Sequence, residues 1–415
     1  MDVGVIGAGI VGASIALALA RRGHRVTLID RSQAAESAAL GNAGAFAFSD
    51  VIPLATPGIM RRAPLWLLSP DGPLSVPPAY LPRLAPWLLR FWRASWRDRY
   101  KAAVAAQSAL MSLSQAGLER LVEAESLGSH LRHEGQLQLY DNVASFRASL
   151  PGWEERRRAG VRFDLLESAG AVAEHQPGLD ARFTHAAWTP DWSNVTDPAV
   201  WTREIAARAV SRGATCLHAE ARVIRPVEGG AEVTTSQGRQ RHDRIIVAAG
   251  AWSGALARTV GLRLPLETER GYNTTLPAGA FDLRTHVTFS DHGFVVTKVG
   301  DGIRVGGGVE LAGLARPPRM ARAEALMRKA AAFLPGLKTD GGRQWMGFRP
   351  SMPDSLPVIG AVPEAPQVVL AFGHGHLGLT QSTGTAEIVV DLVEGHPPPI
   401  DIAPFRPTRF AGARS

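Results

Sequence analysis

The chain has 415 residues, of which 45% are hydrophobic and 20% charged, with a mean hydropathy of −0.01; this is enough apolar material for a large core and excludes an intrinsically disordered chain. The net charge of +7 and the pI near 10.1 come mostly from dispersed Arg, with no dense basic block or recognisable binding module, so no nucleic-acid partner is expected. The single cysteine, Cys216, excludes an intramolecular disulfide and favours a reducing, cytoplasmic setting.

Residues Val3 to Ile6 read as a strand, Gly7 to Gly12 as a tight turn opening a helix that runs to Arg22, and Arg25 to Asp30 as a second strand. Neither strand alternates, as expected for parallel strands covered on both faces. With Val3 already reading as the start of a buried strand, no export leader is expected.

From Pro53 to about Tyr100 the pattern breaks into a Pro- and Trp-rich insert containing Trp66, Trp87, Trp92 and Trp96. Its apolar run from Leu84 to Trp92 contains Arg90 and is flanked by Arg83, Arg93, Arg97 and Arg99, which is too short and too charged to span a bilayer. Such a segment suits either a packing helix over a substrate site or peripheral contact with the inner face of a cell membrane.

Helical patterning follows over 102–127, strand-like patterning over 135–140 and a helix over 153–159. Next come a helix over 199–212, strands over 215–217, 221–224 and 231–235, and an apolar strand over 243–248 that ends at Ala249-Gly250. Residues 263–344 alternate as an antiparallel sheet does, interrupted by a helix over 321–333. A strand over 368–372 and a helix over 381–394 close the chain. There is no internal repeat.

Gly7-x-Gly9-x-x-Gly12 stands between a strand and a helix, with Asp30 ending the next strand. Gly7 allows the sharp turn, Gly9 lets backbone approach a pyrophosphate and Gly12 lets helix and strand pack closely. Asp30 is placed to accept hydrogen bonds from ribose hydroxyls and would repel a 2′-phosphate. The fingerprint serves NAD and FAD alike. A second match, Gly373-His374-Gly375-His376-Leu377-Gly378, has no following strand with a ribose-binding acid, so it reads as a loop before the last helix rather than a second nucleotide fold.

Taken together, the opening Gly-Ala-Gly-Ile-Val-Gly unit, Gly41 to Gly44, Ile245 to Ser253, Gly347 to Pro350 with Pro357 to Gly360, and the Gly373 to Thr380 loop give the chain a close likeness. It resembles the D-amino acid oxidase and glycine oxidase family of flavoenzymes, and within it the bacterial D-amino acid dehydrogenases, over nearly its whole length. The resemblance implies an α/β chain (α+β overall) with a Rossmann-like, glutathione-reductase-like FAD-binding domain and a second, mainly antiparallel-sheet substrate domain. The FAD-binding part is expected over 1–80, 199–262 and 345–415, and the substrate part, with the Trp-rich insert, over 81–198 and 263–344.

By the same resemblance, non-covalently held FAD would meet Gly7, Gly9, Ile10, Val11 and Gly12, then Asp30 and Arg31 at the adenosine. Asn42, Ala43 and Gly44 would lie along the pyrophosphate, Val223 would offer its backbone to the adenine, and Ala249, Gly250 and Trp252 would close over the cofactor. Gly373, His374, Gly375, Leu377, Gly378, Leu379 and Thr380 would bring backbone N–H groups to the flavin, where a helix N-terminus stabilises the negative charge left by hydride arrival. Arg349 is expected to clamp the substrate carboxylate, with Tyr272 and His376 lining the pocket. Phe294 stands where relatives carry a carboxylate-binding Tyr, and cannot donate a hydrogen bond. Cys216 is expected to be a small buried residue, too far away for a covalent flavin link.

The implied activity is oxidative deamination of a D-amino acid by hydride transfer from Cα, giving an imino acid, with electrons passing to a quinone or another acceptor. A cyclic D-imino acid dehydrogenase (acting on D-proline or cis-4-hydroxy-D-proline) and a glycine- or sarcosine-type oxidase using O2 remain alternatives, and a flavin- or nucleic-acid-binding protein without turnover is a more distant one.

Overall fold

The computed structural model describes residues 1–32, 38–68 and 72–410; the side chain of Trp66 lies outside the described part. The elements that position the site begin with β1 (Asp2–Ile6), α1 (Ile10–Arg21) and β2 (Arg25–Asp30), followed by α2 (Leu81–Ala94) and α3 (Arg97–Glu125). Next come β3 (Gln136–Tyr140), β4 (Asp164–Leu166), β5 (His185–Thr189), α4 (Pro198–Ser211), β6 (Thr215–His218), β7 (Ala221–Val227), β8 (Gly230–Thr235), β9 (Gly238–His242) and β10 (Arg244–Val247). The last third carries β11 (Glu267–Leu276), β12 (His286–Phe289), β13 (Phe294–Val299), β14 (Gly302–Leu311), α5 (Ala321–Phe333), β15 (Arg343–Ser351), β16 (Val358–Val362), β17 (Ala365–Phe372) and α6 (Ser382–Glu394).

Two sheets organise the chain. The first runs β6-β2-β1-β10-β17-β16, parallel except for β16 at the edge. Its inner strands β1, β10 and β17 are largely buried because both faces are covered. On one face α1, α4 and α6 share a core that includes Ile15, Leu19, Ile205 and Val389. On the other, the small antiparallel sheet β7-β8-β9 places Ile224 and Val233 against Ile6, Ile29 and Val247. The second sheet runs β15-β11-β14-β13-β12-β3-β5-β4, with the short strand Leu74–Ser75 beside β14, and is antiparallel apart from the β12-β3 pair and that short strand. Its own core gathers Phe289, Phe294, Phe333 and Leu337 under α5.

A Rossmann-like α/β layer beside a mainly antiparallel sheet is the expected architecture. The sheets divide the chain differently from the expected segments at several places; the short strand Leu74–Ser75, for one, pairs with β14 of the second sheet. Helix α3 contributes Leu110, Leu118 and Leu121 to the core of the parallel sheet and lies against α6, where Thr383 donates a hydrogen bond to the Ser114 carbonyl at 2.7 Å. Strand β15 pairs with β11 and so belongs to the second sheet, although the residues after it return to the first.

Cys216 is a correction. It is exposed, not buried, because β6 is the edge strand of the parallel sheet and most of its side chains face solvent. The insert also resolves: along α2, Leu84 and Trp87 are buried against Leu311, while Leu89 and Trp92 on α2 and Trp96 just before α3 are exposed at 63%, 47% and 46%. Among the described residues, no helix is long and apolar enough to cross a membrane.

Candidate functional site

A cavity of about 750 Å³ opens between the carboxyl ends of β1, β2, β10 and β17 and the face of the second sheet. Its size sits in the upper part of the usual range for ligand sites, roughly 300–1,000 Å³. The carboxyl end of a parallel sheet is where such folds bind ligands, because loops and helix N-termini converge there.

The first arm of the cavity is the glycine fingerprint. Gly7 adopts φ +111°, and a Cβ there would lie 2.4 Å from the Ala248 carbonyl oxygen. A Cβ on Gly12 would lie 1.8 Å from the Gly7 carbonyl oxygen, whereas one on Gly9 would meet nothing within 4 Å. Gly9 therefore faces an open cradle, and Gly12 supports it from behind without lining it. Helix α1 has neither a side-chain cap nor an acidic residue in its first turn, so Gly9, Ile10 and Val11 present uncompensated N–H dipole to the cavity. The Asp30 carboxylate accepts from the Ala8 N–H at 2.6 Å and from the Ser32 N–H and hydroxyl at 3.0 Å each, which fixes it at the cavity edge. Arg31 stacks over the Trp252 ring at 4.2 Å, and Ala249 and Gly250 complete the wall. Val223 does not line the cavity. The β7-β8 register slips between Ala221 and Val223, and Ala221 and Arg222 take that place.

The second arm is the Gly41 to Gly44 turn. Asn42 accepts from the Gly44 N–H at 2.7 Å, with Gly44 left-handed at φ +75°. Asn42 and Ala43 line the cavity, and Gly44 sits behind them against Val195. The second sheet braces this turn: Asn273 donates to the Gly41 carbonyl at 3.0 Å and Arg304 to the Asn42 carbonyl. Burial pushes the Arg304 pKa down to about 10.

The third arm joins β17 to α6. Gly373 turns at φ +87° behind the cavity, where a Cβ would crowd Met352. His374 is buried, shares a hydrogen bond with the Thr385 hydroxyl at 3.0 Å, and is pushed by burial down to about 3, so it presents a neutral ring. The Gly375 N–H donates to the Pro350 carbonyl at 2.7 Å, and Gly375, Leu377, Gly378 and Leu379 face the cavity. Thr380 stands outside the lining: its hydroxyl accepts from the Ala47 N–H and donates to the Ala45 carbonyl, tying the third arm to the segment after Gly44.

Arg349 enters from β15, where it stands opposite Glu269 of β11. Its guanidinium lies over Gly271, where a Cβ would fall 2.3 Å from Nη2, and Nη1 donates to the Gly308 carbonyl at 3.1 Å. Burial lowers its pKa, and the neighbouring Glu269 carboxylate works in the opposite direction. Tyr272 borders the cavity, but its hydroxyl donates to Glu310 at 2.6 Å and accepts from the Arg319 N–H, so it belongs to a buried cluster with Arg270 rather than to the Arg349 clamp. His376 is half-exposed, 3.9 Å from the Asp50 carboxylate. Phe294 stacks on Phe289 and Phe333 in the core of the second sheet, which explains an apolar residue at that position.

Several lining residues have no local signature. Gln136 and Gln138 of β3 and His286 and Thr288 of β12 form a polar wall, with Gln136 and His286 buried and the other two partly so. Gln136 donates to the Thr288 hydroxyl at 2.9 Å, and burial pushes His286 down to about 3. Glu269 was detectable only through the period-two alternation that puts it on the same face as Gly271 and Asn273. The donor set suits an elongated dinucleotide: an uncapped helix start, a fixed carboxylate beside it, and a second helix start at the far end of one continuous cavity.

Comparison with known proteins agrees with this geometry. Residues 2–392 match the DAO family, described as FAD dependent oxidoreductase. A D-amino-acid oxidase from Bradyrhizobium diazoefficiens is 35% identical over 417 residues, spanning 98% of both chains. A D-amino acid dehydrogenase from Rhizobium rhizogenes is 31% identical, spanning 99% of this chain and all of that one. Among solved structures, glycine oxidase from Geobacillus kaustophilus superposes with a TM-score of 0.78 at 24% identity and 99% coverage of each chain, a likeness of fold.

Proposed function

Because the chain belongs to the DAO family of FAD dependent oxidoreductases, we propose that it oxidises a D-amino acid at Cα, with Arg349 holding the substrate carboxylate. The observation that carries this reading is the Arg349 guanidinium, which lies in the one cavity that also holds the glycine fingerprint. FAD held in this cavity would supply an acceptor for two electrons and the Cα hydrogen as hydride, and the imino acid left behind would hydrolyse in water.

The chain's own residues orient and polarise. Arg349 offers a planar fork for a carboxylate and fixes which face of Cα is presented. Cofactor contacts fall to Gly9, Ile10, Val11, Asp30, Asn42 and Ala43 at one end, with Gly378 and Leu379, in the turn that leads into α6, positioned to stabilise negative charge at the other. His374 stays neutral at the cavity wall and adds no cation there. No side chain is assigned as a base, since an amine that enters unprotonated needs none.

For the electron acceptor, we favour a quinone at a membrane surface over O2. Exposed Leu89, Trp92 and Trp96, interspersed with Arg90, Arg93 and Arg97, form an amphipathic patch suited to an interfacial position. Anaerobic bleaching of the flavin absorbance against a panel of D- and L-amino acids tests the reaction. D-selective bleaching that is lost in Arg349→Met with flavin retained is the expected result; bleaching unaffected by that change removes Arg349 from the site. Peroxide release in air, set against reduction of a soluble quinone, decides the acceptor.

A further inference from the structure

Glu269 is a carboxylate with an unusual position. It is 5% exposed, borders the main cavity, and also borders a side slot lined by Leu54, Trp87, Phe91 and Gln107. Among the described residues, no hydrogen bond or ion pair takes up its side chain, and Arg349 on the neighbouring strand is the cation it faces. A buried anion is costly unless compensated. Once a substrate carboxylate occupies the Arg349 donors, the positive charge is shared and Glu269 lacks a partner of its own.

The slot supplies further observations. Gln107 is 1% exposed and donates to the Asp50 carbonyl, but its own carbonyl oxygen, Oε1, has no hydrogen-bond partner. Trp87 and Phe91 stack at 5.2 Å along the wall. The void holds about 20 Å³, room for one water-sized group. A carboxylate, an orphan carbonyl acceptor and aromatic faces around a water-sized void match a primary ammonium, which is a compact triple donor; a planar guanidinium is too large for it. Nearby Asp50 already faces Arg156 and His376, so it does not compete for the ligand.

We propose that Glu269, with Gln107, selects substrates whose side chain ends in a primary ammonium, such as D-lysine or D-ornithine. The proposal rests on the D-amino acid reading above, since it requires Arg349 to hold the α-carboxylate. The amine at Cα is a poorer candidate for Glu269, because a carboxylate beside it would hold it protonated and oppose hydride loss. Acidic side chains are excluded by like charge.

The test is steady-state dye reduction by the FAD-loaded enzyme with D-lysine, D-ornithine, D-arginine, D-norleucine and D-glutamate. The expected result is a kcat/KM for D-lysine or D-ornithine above that for D-norleucine by about tenfold or more, the scale of one charge-assisted hydrogen bond, with D-glutamate lowest. Glu269→Gln is expected to cut the lysine-to-norleucine ratio by about the same factor. A wild-type ratio at or below one overturns the proposal even if the variant does not fold. So does a Glu269→Gln enzyme that loses both substrates equally, which would assign Glu269 to the α-amine or to support of Arg349. If no D-amino acid is oxidised at all, the underlying reading fails instead.

Discussion

Replacing Gly271 by Ala separates the Arg349 clamp from the fold that carries it. The new Cβ would lie 2.3 Å from Nη2, 2.5 Å from Cζ and 2.9 Å from Nη1 of Arg349, so the guanidinium must retreat by about 1 Å to reach ordinary contact. The backbone does not resist the change: Gly271 lies within β11 and is not among the positive-φ glycines, and alanine is favoured over glycine in a strand. The obstructed group is the end of a long side chain, so the cost falls on ligand geometry rather than on the core. A charge-assisted hydrogen bond is worth about 1.5–3 kcal/mol, which converts to about a 10- to 150-fold loss in kcat/KM. Steady-state kinetics with a D-amino acid reads this loss, while flavin absorbance and the melting temperature report an intact holoenzyme. Wild-type kcat/KM in a fully loaded Gly271→Ala enzyme would refute the assignment of Arg349 as the carboxylate anchor.

Gly12→Ala drives a methyl into the Gly7 carbonyl at 1.8 Å and is expected to yield protein without FAD, whereas Gly9→Ala meets open space and should keep the melting temperature while weakening FAD binding; absorbance and flavin titration distinguish the two. Arg304→Leu removes a buried donor to the Asn42 carbonyl and should raise the FAD dissociation constant by about tenfold, read by flavin fluorescence. His286 and His374, both pushed down to about 3, stay neutral in the folded chain, but each takes up a proton near 6.5 when unfolded. The folded pKa values are the depressed ones, so this stability is complete above pH 6.5 and is lost as pH falls toward 3, by about 4 kcal/mol for the pair between pH 7 and pH 5. Denaturant unfolding across that range measures it, and a flat midpoint would contradict neutral burial.

The sequence by itself determined the parts governed by neighbours along the chain. Gly7 needs a positive φ, Gly12 needs a bare Cα against the Gly7 carbonyl, and Asp30 ends a strand one residue-pair away from that turn, so the dinucleotide cradle was legible from spacing alone. The alternation of 263–344 likewise announced an antiparallel sheet, because the side-chain period of a strand is local. Pairing across long separations was not legible. Register places Arg349 opposite Glu269, eighty positions earlier in the chain, and puts Gly271 beneath the guanidinium. It also sends the Phe294 ring into the core, turns the Tyr272 hydroxyl toward Glu310, leaves Cys216 exposed on an edge strand and puts Ala221 and Arg222, rather than Val223, on the cavity wall. Whether a strand side chain faces a cavity, a core or water depends on what is stacked against each face, and only the tertiary structure supplies that.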